Sequence, residues 1–336
     1  MQRLSIIIPG YNTPQFMWRR CLVSLLKACN PTDEIICVND GSATDLTVQF
    51  LGVDNEPRIK IINLEKNVGQ AAARNYGLEI AQGEYVTFVD SDDEIIPGCY
   101  DKCIDAAEKY KSDIVVYGLR TVWVNDGLYK ENFMEERNCG VPSAQDICDL
   151  RKFLLFDYPV NKIYRRFFIE QNKIRFKAGI CPGEDMAFNL ECLLAMARIS
   201  IVPTIGYIYY RMDGTTLSRA YANLRETLIY RTHLWDLYQK QLPGLEETGV
   251  CENYSEKDIL RAEWRNLWRR GSKTTFLTRY KFAKEHEGIF NSPVLLEVLC
   301  LLLFRFARRF CYVRVIRRWH IKRLYPYAKE YTLTEA

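Results

Sequence analysis

Asn67-Val68-Gly69-Gln70-Ala71-Ala72-Ala73-Arg74-Asn75, followed after a short helical stretch by Gly83-Glu84-Tyr85-Val86-Thr87-Phe88-Val89-Asp90-Ser91-Asp92-Asp93, decides how this chain folds. The second segment reads as an apolar strand ending in three acids. It makes a rigid ledge from which Asp90 and Asp92 can hold a hard divalent cation and leave coordination positions open for phosphate oxygens. An Asp-Ser-Asp-Asp cluster also suits the cap of a helix beginning near Pro97, so the acids alone leave both readings open.

Working outward, Arg3-Leu4-Ser5-Ile6-Ile7-Ile8-Pro9 is a short strand apolar on both faces, the pattern of a central parallel strand, stopped by a proline that cannot donate to the ladder. Gly10-Tyr11-Asn12-Thr13 follows it. A second strand, Glu34-Ile35-Ile36-Cys37-Val38, runs into Asn39-Asp40-Gly41-Ser42, and a third at 58–62 leads to Asn67. Helical segments at about 15–28, 44–52 and 69–81 alternate with these strands, which predicts an open α/β sheet wound through right-handed crossovers. Ligands in such sheets sit beyond the carboxyl ends of the strands, where Tyr11, Asp40 and Asp90 to Asp92 lie. Arg74 is one turn into a helix whose N-terminus points at the same crevice. Its charge and the free N–H groups favour an anion there, with a solvated helix-surface charge as the alternative.

Four pieces, Ser5 to Asn12, Val38 to Ser42, Asn67 to Asn75 and Val89 to Asp93, stand in the order and spacing by which the first half resembles the nucleotide-sugar-binding domain of family 2 glycosyltransferases, with the GT-A fold. The resemblance implies that Asp40 accepts from the uracil N3 of a UDP donor, that Tyr11 packs on or near the base and that Pro9 shapes its pocket. It places Asn67, Gly69, Arg74 and Ser91 on the donor side, Asp90 at the ribose or a metal-bound water, and Asp92 on Mn2+ or Mg2+. The family most often has an aliphatic residue where this chain has Gly10, which is expected to loosen that loop slightly.

Further along, Gly183-Glu184-Asp185 precedes apolar residues at Met186, Leu190, Leu193, Leu194 and Ala197, a helical spacing that sets Glu184 and Asp185 at a helix N-terminus. This is similar to the family's Glu-Asp motif, which implies that Asp185 is the general base of an inverting transfer, with Glu184 beside it. A helix-capping pair without chemistry is the alternative. Asp157-Tyr158-Pro159-Val160-Asn161-Lys162-Ile163-Tyr164 resembles the family segment that packs beneath the donor pocket. Arg211, closing the strand-like Tyr207-Ile208-Tyr209-Tyr210, is a phosphate contact by the same resemblance or a plain edge-strand arginine.

The 336 residues carry a formal charge of +4, enough chain for one catalytic domain plus an extension. The expected division is 1–218, a catalytic domain with a nucleotide-sugar half at 1–93 and an acceptor half at 94–218, then a mainly helical extension at 219–336. Twelve cysteines offer no Cys-x-x-Cys pair, and the first strand begins at once, so reduced thiols in the cytoplasm are expected. Neither a dinucleotide fingerprint nor a Walker loop is present, which argues against oxidoreductases and phosphate-loop ATPases. From Pro293 to Phe304 the chain is apolar but for Glu297, and eight bases from Arg305 to Arg323 follow without an acid. This 293–323 stretch suits either a peripheral anchor on an anionic inner leaflet or helices that close over the core; nucleic acid is not an expected partner. The function expected is metal-dependent transfer from a UDP-sugar to a saccharide or lipid-linked acceptor in bacterial surface-polysaccharide assembly. A non-catalytic nucleotide-sugar-binding module is the alternative.

Overall fold

The computed structural model describes residues 2–53, 56–180, 183–211, 224–242 and 244–245, all within a compact unit of residues 1–260. In chain order the elements are β1 (Leu4–Gly10), α1 (Gln15–Ala28), β2 (Glu34–Asn39), α2 (Val48–Leu51), β3 (Ile59–Asn63), α3 (Gln70–Ile80), β4 (Tyr85–Phe88), β5 (Glu94–Ile95) and α4 (Cys99–Tyr110). They continue with β6 (Ile114–Trp123), β7 (Tyr129–Asn132), β8 (Arg137–Gly140), α5 (Ala144–Lys152), β9 (Lys162–Arg165), α6 (Arg166–Gln171), α7 (Glu184–Leu194), β10 (Ile199–Arg211) and α8 (Leu224–Gln241). The strands form one ten-stranded sheet in the order β3-β2-β1-β4-β9-β6-β10-β5, with β7 added to β6 and β8 to β10. Strands β3, β2, β1 and β4 are parallel, and β9 runs against both β4 and β6. This is the open mixed sheet, flanked by helices, of the GT-A fold.

Every residue of β1 and β2 is buried, as apolar runs between two helical layers require. Pro9 does not stop β1: it pairs in register with Val38, and the strand runs on to Gly10. The Ile7 carbonyl accepts from Val89 N–H on the β4 side, so the N–H that Pro9 lacks falls on that same side, beyond the end of the β4 ladder at Phe88. Buried polar groups at the other end of the sheet are paired: Ser5 Oγ donates to Glu34 Oε1 at 2.6 Å and Lys60 reaches Glu34 Oε2 at 2.6 Å.

The helix expected at 44–52 is a single turn, α2. Asn63 holds both backbone groups of Leu46, its Oδ1 accepting the N–H at 2.8 Å and its Nδ2 donating to the carbonyl at 3.0 Å. Leu46 is thereby kept out of the helix, which starts only after Thr47, whose hydroxyl accepts from Phe50 N–H. Nor do the three acids cap a helix: β5 intervenes, and α4 opens after Gly98.

Gly10 does not loosen its loop. A Cβ there would stand 2.3 Å from the Trp18 ring and 3.0 Å from Ser91 Oγ, so the space of an aliphatic side chain is filled by buried Trp18 from α1. Gly10→Val is expected to cost about 1–3 kcal/mol through overpacking. A denaturation midpoint equal to that of the parent would contradict this.

Candidate active site

The three acids follow β4 at the carboxyl edge of the sheet. The deepest, Asp93, is fully buried and accepts from Tyr207 Oη at 2.7 Å and Tyr210 N–H at 2.8 Å. Burial, then the charges of Asp92 and Asp90, push its carboxyl up. Tyr207 Oη also accepts from Asp90 N–H at 3.1 Å, so one side chain of β10 fixes both ends of the acidic turn. From the other side Arg20 of α1 donates to the Asp92 carbonyl, pairs with Glu94 at 3.2 Å and lies 3.8 Å from the centroid of the Tyr210 ring. Ser91 is buried and shares a 2.7 Å hydrogen bond with Thr13, which ties the acidic turn to the β1–α1 loop. Asp92 is half-buried, and its carboxylate has no side-chain hydrogen-bond or ion-pair partner among the described residues. Its carboxyl is pushed up to about 6, first by burial and then by Asp90.

Asp40, at the end of β2, organises the loop opposite. Its carboxylate accepts from Val68 N–H at 2.7 Å, Gly69 N–H at 3.0 Å and Asn67 Nδ2 at 3.0 Å. Burial raises its carboxyl, and the two backbone donors oppose that shift. Asn67 and Gly69 thus act by holding Asp40 and the start of α3; both bond Oδ2, while Oδ1 accepts only from Val68 and retains a lone pair for a further donor. Gly41 has φ +65° and lies against the backbone of Lys66 and Asn67, where a Cβ would come within 2.2 Å. Tyr11, half exposed, stands at the mouth, and its neighbour Asn12 is bonded to Ser42 and Ala43.

Arg74 is the link between the halves. It is fully buried, which rules out the solvated helix surface, and the anions it binds are two carboxylates: Asp185 Oδ1 at 2.5 Å and Asp90 Oδ1 at 3.0 Å. Gln70, one turn earlier on α3, donates to the same Asp90 oxygen at 2.9 Å. Asp185 comes from the first turn of α7, 111 residues from Arg74 in sequence. Its side chain remains about a quarter exposed (27%). Burial pushes its carboxyl up to about 7; Arg74 pulls it down, and Glu184 and Asp90 push it further up. Glu184 accepts from Gly183 N–H at 2.9 Å, which fixes its side chain at the start of the helix beside Asp185.

Asn161 and Lys162 are both buried. Lys162 Nζ donates to the carbonyls of Leu155 and Tyr158 and to Asn161 Oδ1, and burial brings its ammonium down to about 7. These bonds hold the 155–158 loop, which carries half-exposed Tyr158. Arg211 is exposed at the end of β10; the apolar and basic stretch at 293–323 lies outside the described residues. Among the described residues no helix is long and apolar enough to cross a membrane, and no three His, Cys, Asp or Glu side chains gather as a metal cage. Gln70, Asp93, Tyr207 and Arg20 escaped sequence reading. Gln70 and Asp93 stand inside the quoted motifs without an assigned role, whereas nothing local marks Arg20 or Tyr207.

Acids at the carboxyl edge of a GT-A sheet and a further carboxylate, Asp185, are thus joined through one buried arginine. Residues 5–172 match the Glycosyl transferase family 2 model, and the chain belongs to that family. The match takes in Asp40, Arg74, Asp90 and Asp92 and ends before Glu184 and Asp185. A poly(ribitol-phosphate) beta-glucosyltransferase of Bacillus spizizenii is 31% identical over 225 residues, 65% of this chain and 34% of that protein. The putative glycosyltransferase EpsH of Bacillus subtilis is 29% identical over 76% of this chain and 72% of its own length. The chain therefore spans about a third of the first relative and nearly three quarters of the second. The crystal structure of residues 1–349 of S. aureus TarS in complex with UDP-GlcNAc superimposes with a TM-score of 0.63 at 23% identity, covering 80% of this chain and 81% of that one, which is a likeness of fold.

Proposed function

We propose that this family 2 glycosyltransferase is an inverting, metal-dependent enzyme that moves a hexose from a UDP-sugar to a saccharide or lipid-linked acceptor in bacterial surface-polysaccharide assembly. The observation that carries this reading is the Arg74 bridge, which sets the acid of the ledge, Asp90, and the base, Asp185, on two nitrogens of one guanidinium. In this reading Asp40, with Tyr11 at the mouth and Pro9 behind it, receives the uracil, and Arg211 lies on the diphosphate side. Asp185 takes the proton of an acceptor hydroxyl as its oxygen attacks the anomeric carbon and the bond to the diphosphate breaks. Arg74 stabilises the carboxylate over the carboxylic acid formed by the transfer, so it favours departure of the proton to solvent, which restores the base.

The ledge suits Mn2+ or Mg2+. Its donors are oxygens only, and Asp92 sits in a negative field that raises its own carboxyl, a strain that a cation relieves. Asp90 and Asp92 would hold the ion, with the remaining positions left for phosphate oxygens. When bound, it neutralises charge developing on the leaving diphosphate. Relatives named for poly(ribitol-phosphate) as acceptor, including TarS of Staphylococcus aureus, favour a polymeric acceptor. A cytoplasmic enzyme working at the inner membrane face fits such an acceptor.

A panel of UDP-sugars, incubated with the full chain and Mn2+ and assayed for UDP release, tests the reading. One donor is expected to be hydrolysed slowly without acceptor and consumed faster with a saccharide acceptor. Tight UDP-sugar binding with no turnover of any donor, whatever the acceptor, would favour the binding-module alternative.

A further inference from the structure

The base on α7 is held from α3 by a second contact that the chemistry above does not use. Asn75, next to Arg74, pairs its whole amide with the backbone of Phe176: Nδ2 donates to the Phe176 carbonyl at 2.8 Å, and Oδ1 accepts the Phe176 N–H at 2.9 Å. A side chain bonded this way to both polar groups of a distant residue acts like one rung of a ladder. It fixes the position of that residue and its orientation together.

Phe176 passes this constraint on through its ring. The ring is stacked on Phe188 of α7 with centroids 4.1 Å apart and planes at 6°, and it meets Phe88 of β4 edge-on at 4.9 Å. Arg74 lies over its other side at 5.1 Å from the centroid. Asp185 and Phe188 are three apart on α7 and so share a face of the helix. The stack therefore sets the height and rotation of that face, while the Arg74 ion pair engages its carboxylate. Buried ion pairs are demanding of geometry and contribute little to stability when their geometry is poor. Arg74 by itself could follow a displaced Asp185 only by loosening its hold on Asp90.

We infer that Asn75 is a positioning residue for the transfer reaction: through the Phe176–Phe188 stack it holds α7 so that Asp185 stands at the acceptor side of the ledge while Arg74 keeps both carboxylates. The inference rests on the assignment of Asp185 as base. Asn75 is half-buried and both of its side-chain hydrogen bonds go to Phe176, so donor binding is expected to be independent of it.

The test is a kinetic comparison of Asn75→Ala and Asn75→Asp in the full chain, with UDP titrated calorimetrically to give affinity and active fraction. Asn75→Ala is expected to lower kcat by about 10- to 100-fold, in line with the penalty for misplacing a catalytic group by about an ångström. UDP affinity and binding stoichiometry stay at parental values. Asn75→Asp keeps an acceptor for the Phe176 N–H and should fall between parent and Asn75→Ala; it also serves if the alanine variant does not fold. In the Asp185→Asn background, Asn75→Ala should cost no further rate, because there is no base left to misplace.

Parental kcat in both Asn75 variants overturns the inference. So does a loss of kcat that only tracks a loss of binding-competent protein, or an undiminished penalty in the Asp185→Asn background. Full activity of Asp185→Asn itself would instead overturn the assignment of the base.

Discussion

Asp185→Asn is expected to lower the transfer rate by about 10²- to 10⁴-fold while UDP-sugar affinity stays near that of the parent. The amide preserves size and can still accept from Arg74, so α7 keeps its first turn, but it cannot take the proton of the acceptor hydroxyl. Equal losses of rate and donor affinity would show a structural role for the start of α7. The same assignment fixes the sign of a pH dependence. Burial holds the carboxyl near 7, and only the ionised form is a base, so activity falls as the pH drops through that region, by about tenfold per unit well below it. A cation on the ledge offsets the push from Asp90 and draws this acid limb lower. Arg74→Gln removes the charge that favours the carboxylate and should move the limb to higher pH. A limb that stays in place would mean that another group titrates.

The second large effect is at the ledge. Asp92→Ala is expected to abolish turnover, and thorough chelation of the parent enzyme should do the same. The scaffold survives the substitution because Arg20 holds the Asp92 carbonyl, which alanine keeps, and Tyr207 holds Asp93 and Asp90. Stability should not fall either. The folded value of about 6 lies above the ordinary 3.8, so ionised Asp92 opposes folding, and the penalty grows from the ordinary value upward and is complete above about 6. The thermal midpoint of Asp92→Ala at pH 8 should therefore equal or exceed that of the parent, with any gain lost near pH 4. Near-normal transfer by a well-folded Asp92→Ala, or activity that survives chelation, would remove the metal from the reading.

Local structure was legible in the order of residues alone. Apolar runs set between turn residues marked β1 and β2, helical segments alternating with them marked α1 and α3, the three-and-four spacing marked the start of α7, and the acids follow the apolar run of β4 at the carboxyl edge of a parallel sheet. The order of Asp40, Arg74, Asp90 and Asp92 along the chain carried the family, since the acids follow strands β2 and β4 and Arg74 lies on the helix between them. The tertiary structure decided whatever depends on partners far apart in sequence. α2 shrank to one turn because Asn63 took the backbone of Leu46, and Gly10 proved packed because Trp18 arrives from α1. Arg74 reads the same on a solvated helix as beneath a crevice. Only the approach of α7, 111 residues on, gave it Asp185 and left burial to raise that carboxyl into the range of a working base. Periodicity reports which way a side chain points from its own element, whereas charge state and hydrogen-bond partners are set by what the rest of the chain brings to meet it.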